Sequence, residues 1–126
     1  MAYTLLIGNK NYSSWSLRPW LLLHASGIAF AEEKHLFETP EFAAEISSRK
    51  RSPNGRVPVL VDGDVKVWDS LAIAEYLAER HPGLWPADAA ARAHARSACA
   101  EMHSSFGALR NWMPMNVRRS YPVATP

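Results

Sequence analysis

Three serines crowd the stretch Asn9-Lys-Asn-Tyr-Ser-Ser-Trp-Ser-Leu-Arg-Pro-Trp-Leu-Leu-Leu23. An apolar strand ends at Gly8, a polar loop follows, and then a strongly apolar helix begins. Ser13, Ser14 and Ser16 therefore fall where a helix start leaves backbone N–H groups without partners. Those donors and the helix dipole both favour negative charge, which makes the stretch a candidate anion site. Asp69-Ser70 opens another helix in the same way. Val57-Pro58 begins a strand with a residue that cannot donate to a ladder, so it marks an edge or a special bend. Arg49, Lys50, Arg51 and Arg56 form a basic run that a solvated helix C-terminus explains more simply than an anion site.

Other chemistries are disfavoured by residue counts. Cys99 is the only cysteine, so neither a CxxC pair nor a multi-cysteine metal site is expected, and on its helix it reads as a small buried side chain. His24, His35, His81, His94 and His103 never pair at the i, i+3 or i+4 spacing that metal ligation on a helix needs, so no metal is expected. A net charge of +2 over 126 residues is too small to imply nucleic acid. With 48% apolar and 21% charged residues, the composition is that of a globular protein. Residues 1–8 lack a basic start and no apolar run suits a signal peptide or a membrane span. The expectation is a cytoplasmic, reducing compartment and no membrane partner.

The elements that position these residues follow from periodicity and punctuation. Tyr3 to Ile7 reads as a buried central strand. The first helix runs from Ser14 or Trp15 to Ser26, with Pro19 in about its first turn and Gly27 as its left-handed stop. Phe30 to Phe37 reads as an edge strand, its charges at Glu32, Glu33 and Lys34. Thr39-Pro40-Glu41 caps a helix that reaches about Ser48, with Phe42 and Ile46 on its apolar face. After the Ser52–Gly55 turn, Val57–Val61, Asp62-Gly63-Asp64 and Val65–Trp68 make a hairpin. Helix Leu71–Glu79 follows, and then the His81–Pro86 stop. From Asp88 to about Trp112 a single long helix is expected, striped by Ala95, Ala98, Met102, Phe106, Leu109 and Met113. The fold class is α/β: a β-α-β-α-β-β-α unit over residues 1–80, a linker over 81–87, and the opening of a helical domain over 88–126. A lone striped helix must pack on the sheet unit, on another chain, or on helices of a longer protein.

Three motifs in this order carry a resemblance. Ser13-Ser-Trp-Ser-Leu-Arg18, Val57-Pro58 and Asp69-Ser-Leu-Ala-Ile-Ala-Glu-Tyr-Leu77 are similar to those of the N-terminal, thioredoxin-like domain of cytosolic glutathione transferases. The first of them is most like the serine-type, zeta-related motif. The likeness extends over residues 3 to 113, into the first helix of the family's helical domain. It implies glutathione as cosubstrate and a homodimer.

The resemblance also implies roles. Ser13 donates its hydroxyl to the glutathione sulfur, with Ser14 ranked second as the catalytic serine. Ser14 and Trp15 add backbone N–H groups. A charge-assisted bond of about 1.5–3 kcal/mol that acts only on the anion lowers a thiol pKa by roughly one to two units. Val57, before a cis Pro58, pairs with the cysteinyl backbone. Ser70 takes the γ-glutamyl carboxylate and Asp69 its ammonium. Arg56 is the candidate for the glycyl carboxylate, since Glu38-Thr-Pro stands where some members carry a lysine. Between the Asn9–Tyr12 loop and the long helix, Tyr12, Met102, His103, Phe106 and Arg110 are candidates for a pocket that takes a small apolar electrophile. Two other readings stand beside the transferase: a glutathione-dependent isomerase of a maleyl-type dicarboxylate, which wants extra cations, and a non-catalytic module that binds a protein through the helix stripe.

Overall fold

The computed structural model describes residues 3–120 and 122. Four strands order as β2-β1-β3-β4. β1 (Tyr3–Ile7) pairs parallel with β2 (Phe30–Lys34) and antiparallel with β3 (Val59–Asp62), and β3 pairs antiparallel with β4 (Val65–Trp68). The helices are α1 (Ser14–Ala25), α2 (Pro40–Phe42, continued by a π-helical turn over Ala43–Ser47), α3 (Ser70–Arg80), α4 (Ala89–Ser104) and α5 (Gly107–Trp112). This is the expected thioredoxin-like α/β arrangement, followed by the start of a helical region.

The strand period explains the layering. On β1, Tyr3, Leu5 and Ile7 face α1 and α3, where Leu23, Leu60, Ile73 and Leu77 complete a core. Leu6 points to the opposite face and packs with Ile46 and Val59 beneath α2. The apolar run of β1 is thus buried on both faces. At the edge, charges on β2 find partners: Lys10 reaches Glu32 at 2.6 Å and Arg51 reaches Glu33 at 2.6 Å.

Several boundaries differ from the sequence-based expectation. β2 ends at Lys34, because the chain bends to bury His35 between Glu33 (3.0 Å) and Glu41 (3.2 Å). Pro19 lies in the second turn of α1, buried against the core. Gly27 takes φ +67° after α1, as a left-handed stop requires. The long helix is two helices. Phe106 turns to φ +64°, and the Arg110 guanidinium accommodates the break by donating to Ser105 O (2.9 Å) and Met102 O. The i, i+3/i+4 stripe runs through the break, so periodicity alone did not reveal it. Ser104, Ser105 and Gly107 are the weak helix formers that mark it.

α4 buries none of its own side chains. It is held laterally by Arg96, which pairs with Glu75 at 3.1 Å while Trp85 Nε1 donates to the same carboxylate.

Candidate functional site

The start of α1 is built on a hydroxyl pair. Ser13 stands at the N-cap, where its carbonyl accepts the Leu17 N–H at 3.1 Å, but its side chain makes no capping bond. Its Oγ lies 2.8 Å from Ser16 Oγ, which accepts the Gly8 N–H at 3.0 Å. Both serines are buried, at 6% and 3% exposure. They share a pocket of about 210 Å³ with Ile7, Lys10, Leu17, Trp20 and Val117. The Ser13 and Ser14 N–H groups are taken by Asn9 O (2.9 Å) and Tyr12 O (3.0 Å). Ser14 itself is half-buried.

A separate cleft of about 210 Å³ is lined by Trp15, Asn54, Arg56, Val57, Pro58, Asp69, Ser70 and His103. The Val57–Pro58 peptide is cis. The loop leading to it is shaped by buried Ser52, whose Oγ accepts the Arg56 N–H at 3.0 Å and donates to Arg56 O at 2.5 Å. Across the cleft, Asp69 adopts φ +75°, a conformation that L residues rarely take and that concentrates at functional sites. Its Oδ1 caps α3 at Leu71 N (2.9 Å) and its Oδ2 lies 3.3 Å from His103 Nε2. Ser70 is 5% exposed, and its Oγ is shut from solvent with no hydrogen-bond partner among the described residues.

Cations gather around Trp15. The guanidiniums of Arg18 and Arg110 lie 4.3 and 4.6 Å from its ring centre, and His103 meets it edge-on at 5.2 Å. Burial and the neighbouring Arg110 push the Arg18 pKa below its ordinary value, with Asp69 and Cys99 pulling the other way.

Seven of the residues singled out from sequence therefore meet in one cleft: Trp15, Arg56, Val57, Pro58, Asp69, Ser70 and His103. Ser13 lines a separate pocket, which shares no lining residue with the cleft. The candidates for the electrophile have different surroundings. Tyr12 is exposed and tilts against Phe37, 5.9 Å between ring centres. Met102 lines a larger, mostly apolar cavity of about 410 Å³ between α1, α3 and α4, which shares Ser70 and His103 with the cleft. Phe106 is exposed at the helix break, and Arg110 is engaged by carbonyls and by Trp15. Cys99 is exposed, not buried as its apolar character suggested, because it lines the same unfilled cavity between α1, α3 and α4. Among the described residues no group of three His, Cys, Asp or Glu side chains is placed to hold a metal ion, and no helix is long and apolar enough to cross a membrane.

The sequence placed Ser16 with Ser13 and Ser14 at the helix start without pairing it to Ser13, and it gave Ser52 no role beyond a turn. The pair was discoverable: three residues beyond Ser13 on a helix, Ser16 shares its face. Ser52 left only a turn signal. The contact of His103 with Asp69, across 34 positions, left no signal in sequence.

The comparisons with known proteins agree with this geometry. The model of the glutathione S-transferase N-terminal domain matches residues 12–80, more than half of the chain. Glutathione S-transferase 1 of Dianthus caryophyllus is 37% identical over 113 residues, 82% of this chain and 48% of that protein. The chain thus spans about half the length of this curated relative. Among solved structures, a theta class glutathione S-transferase from Xanthomonas axonopodis pv. citri, with glutathione bound, is 30% identical at TM-score 0.68 and covers 87% of this chain and 52% of that one. A glutathione transferase homologue from Burkholderia, also with bound glutathione, is 27% identical at TM-score 0.71, covering 88% of this chain and 58% of that one. With its strand order, its cis Val57–Pro58 and its Asp69-Ser70 helix start, the chain belongs to the glutathione S-transferase family.

Proposed function

We propose that the chain binds glutathione in the cleft between Trp15, Val57–Pro58 and Asp69-Ser70, and that it activates the thiol for attack on a small apolar electrophile. The observation that carries this reading is the convergence of two helix starts on a single cleft, with a buried, unpartnered Ser70 hydroxyl at one of them. In this reading Ser70 and the α3 terminus take the γ-glutamyl carboxylate and Asp69 takes the ammonium. Val57 offers its backbone to the cysteinyl unit, and Arg56 meets the glycyl carboxylate.

Ser13 is the residue proposed to stabilise the thiolate, with Ser14 next in rank. The Ser13–Ser16 pair suits that task. Hydroxyl protons rotate, so Ser16 can accept from Gly8 N–H and donate to Ser13, which leaves the Ser13 proton for the sulfur. Each bond in such a chain polarises the next. Tyr12, Met102, Phe106 and Arg110 are proposed to border the electrophile, with the homodimer and the division of the chain at residues 81–87 as parts of the same family-based reading.

The Arg18 and Arg110 guanidiniums beside Trp15 favour a second reading, glutathione-dependent isomerisation of a maleyl-type dicarboxylate. Calorimetric titration with glutathione tests the first premise, and absence of heat from the wild type overturns both readings. Titration of thiolate absorbance then compares wild type with Ser13→Ala. A thiol pKa raised by about one to two units supports Ser13, whereas an unchanged value passes the role to Ser14. Turnover of a maleyl-type substrate without net glutathione consumption selects the isomerase.

A further inference from the structure

Among the described residues that line the Ser13 pocket, only Val117 comes from beyond α1. The other apolar walls, Ile7, Leu17 and Trp20, are fixed on β1 and α1. Val117 is delivered by the segment after α5, which lies on the loop that leads to Ser13. Its N–H donates to Asn11 O at 3.1 Å. The Arg118 N–H donates to Asn11 Oδ1 at 3.1 Å, across 107 positions, and shares this bond with Asn116 Oδ1. Asn11 thus holds the segment by backbone and side chain together. The loop is itself anchored, because the Tyr12 and Ser13 N–H groups both donate to Asn9 O, at 3.3 and 2.9 Å. Val117 is 66% exposed and belongs to neither core cluster. It walls the pocket without holding up the fold.

We propose that Val117 is a specificity-determining residue for the electrophile, placed by Asn11 so that it sets the room left beside the Ser13 hydroxyl. The inference rests on the role proposed above for Ser13. A sulfur within hydrogen-bond reach of that hydroxyl stands at the pocket Ser13 lines. The carbon it attacks must stand about 3–3.5 Å further on, in line with the bond that breaks. The space available is a mostly apolar pocket of about 210 Å³, below the roughly 300–1,000 Å³ of sites for drug-sized ligands. It suits a compact apolar body. In so small a space a change of one methylene at a wall is felt. Val117 is the wall that can change size without disturbing β1 or α1, and Asn11 is its positioning residue.

The test is steady-state turnover of glutathione with benzyl chloride and with 4-tert-butylbenzyl chloride, which share a reacting carbon and differ in bulk. In both, the thiolate forms a C–S bond as the C–Cl bond breaks, and chloride leaves with the electron pair. Val117→Ala is expected to raise kcat/KM for the bulkier chloride about tenfold relative to the smaller, and Val117→Phe to lower it by about as much. Asn11→Ala, which loosens the wall, should blunt the discrimination, and Asn11→Asp, which keeps the Oδ1 acceptor, should restore it. Glutathione affinity by calorimetry is expected to be unchanged across the variants. Because the readout is a ratio within each variant, a partly unfolded sample does not mimic it. A ratio that neither Val117 variant moves overturns the inference, as does a change confined to glutathione affinity. Failure of Asn11→Asp to restore what Asn11→Ala loses removes Asn11 from its role. A wild type that binds glutathione but turns over neither chloride refutes the placing of the electrophile at Ser13. A wild type that does not bind glutathione overturns the glutathione reading itself, and this inference with it.

Discussion

Ser70→Ala separates a binding role from a structural one by the sign of two effects. In the unliganded protein the Ser70 Oγ is buried and unpartnered. A buried hydroxyl left without a partner costs about 1–3 kcal/mol, and alanine is the better helix former by a few tenths of a kcal/mol. The lost oxygen leaves a small void that offsets part of this gain. The net expectation is about 1 kcal/mol of added stability, or a melting temperature higher by about 3–5 °C for a chain of this size. Glutathione binding should move the opposite way. A hydrogen bond to a carboxylate contributes about 1.5–3 kcal/mol, so its loss weakens binding by about ten- to hundredfold. Thermal melts followed by circular dichroism, with and without glutathione, read both effects together. At ligand near 100 times the wild-type dissociation constant, the wild type gains about 2.7 kcal/mol. Ser70→Ala should gain about half of that or less. The reasoning fails if the free variant melts lower than the wild type, or if the ligand stabilises both proteins equally.

Four further outcomes are expected. Ser16→Ala strips the Gly8 N–H of its partner and should lower the urea midpoint by an amount equivalent to about 1–3 kcal/mol, while raising the pKa of bound thiol. In Gly8→Ala the new methyl would meet the Phe37 ring at 2.4 Å, and Phe37 is held by Phe42 and Tyr12; chemical denaturation should register a loss of about 1–3 kcal/mol. Arg110→Ala releases the carbonyls of Ser105 and Met102, so hydrogen exchange over residues 105–113 should quicken while β1 and β3 stay protected. For pH, the Arg96 hydrogen bond holds the Glu75 carboxyl below its ordinary value, assisted by Trp85 and opposed by burial. A depressed carboxylate pKa gives stability that is present above the unfolded value of about 4.3 and is lost as pH falls through the folded one. Exchange protection of α4 should therefore decline below about pH 4.5 in the wild type, and a steady, already reduced protection is expected of Glu75→Gln.

The local parts of this protein were written plainly in its residues. The apolar run at Tyr3–Ile7, the hairpin turn at Asp62-Gly63-Asp64 and the caps at Thr39 and Asp69 each depend on neighbours a few positions away, so propensity and period suffice to find them. The same holds for the motif residues: Val57-Pro58 and Asp69-Ser70 name themselves, and the fold brings them to one cleft. What the sequence left undecided depends on distant partners. The long helix breaks because Arg110 can fold back on the carbonyls of Ser105 and Met102, although the apolar stripe runs through the break unaltered. Ser13 turns its hydroxyl to Ser16 and away from a capping bond, because Gly8 brings an N–H that anchors the pair. His103 reaches Asp69 across 34 positions only because α4 lies against the start of α3. Local chemistry determined which residues the cleft could draw on. Packing decided which way the Ser13 and Ser16 hydroxyls point, since burial makes polar atoms seek whatever partner the fold delivers.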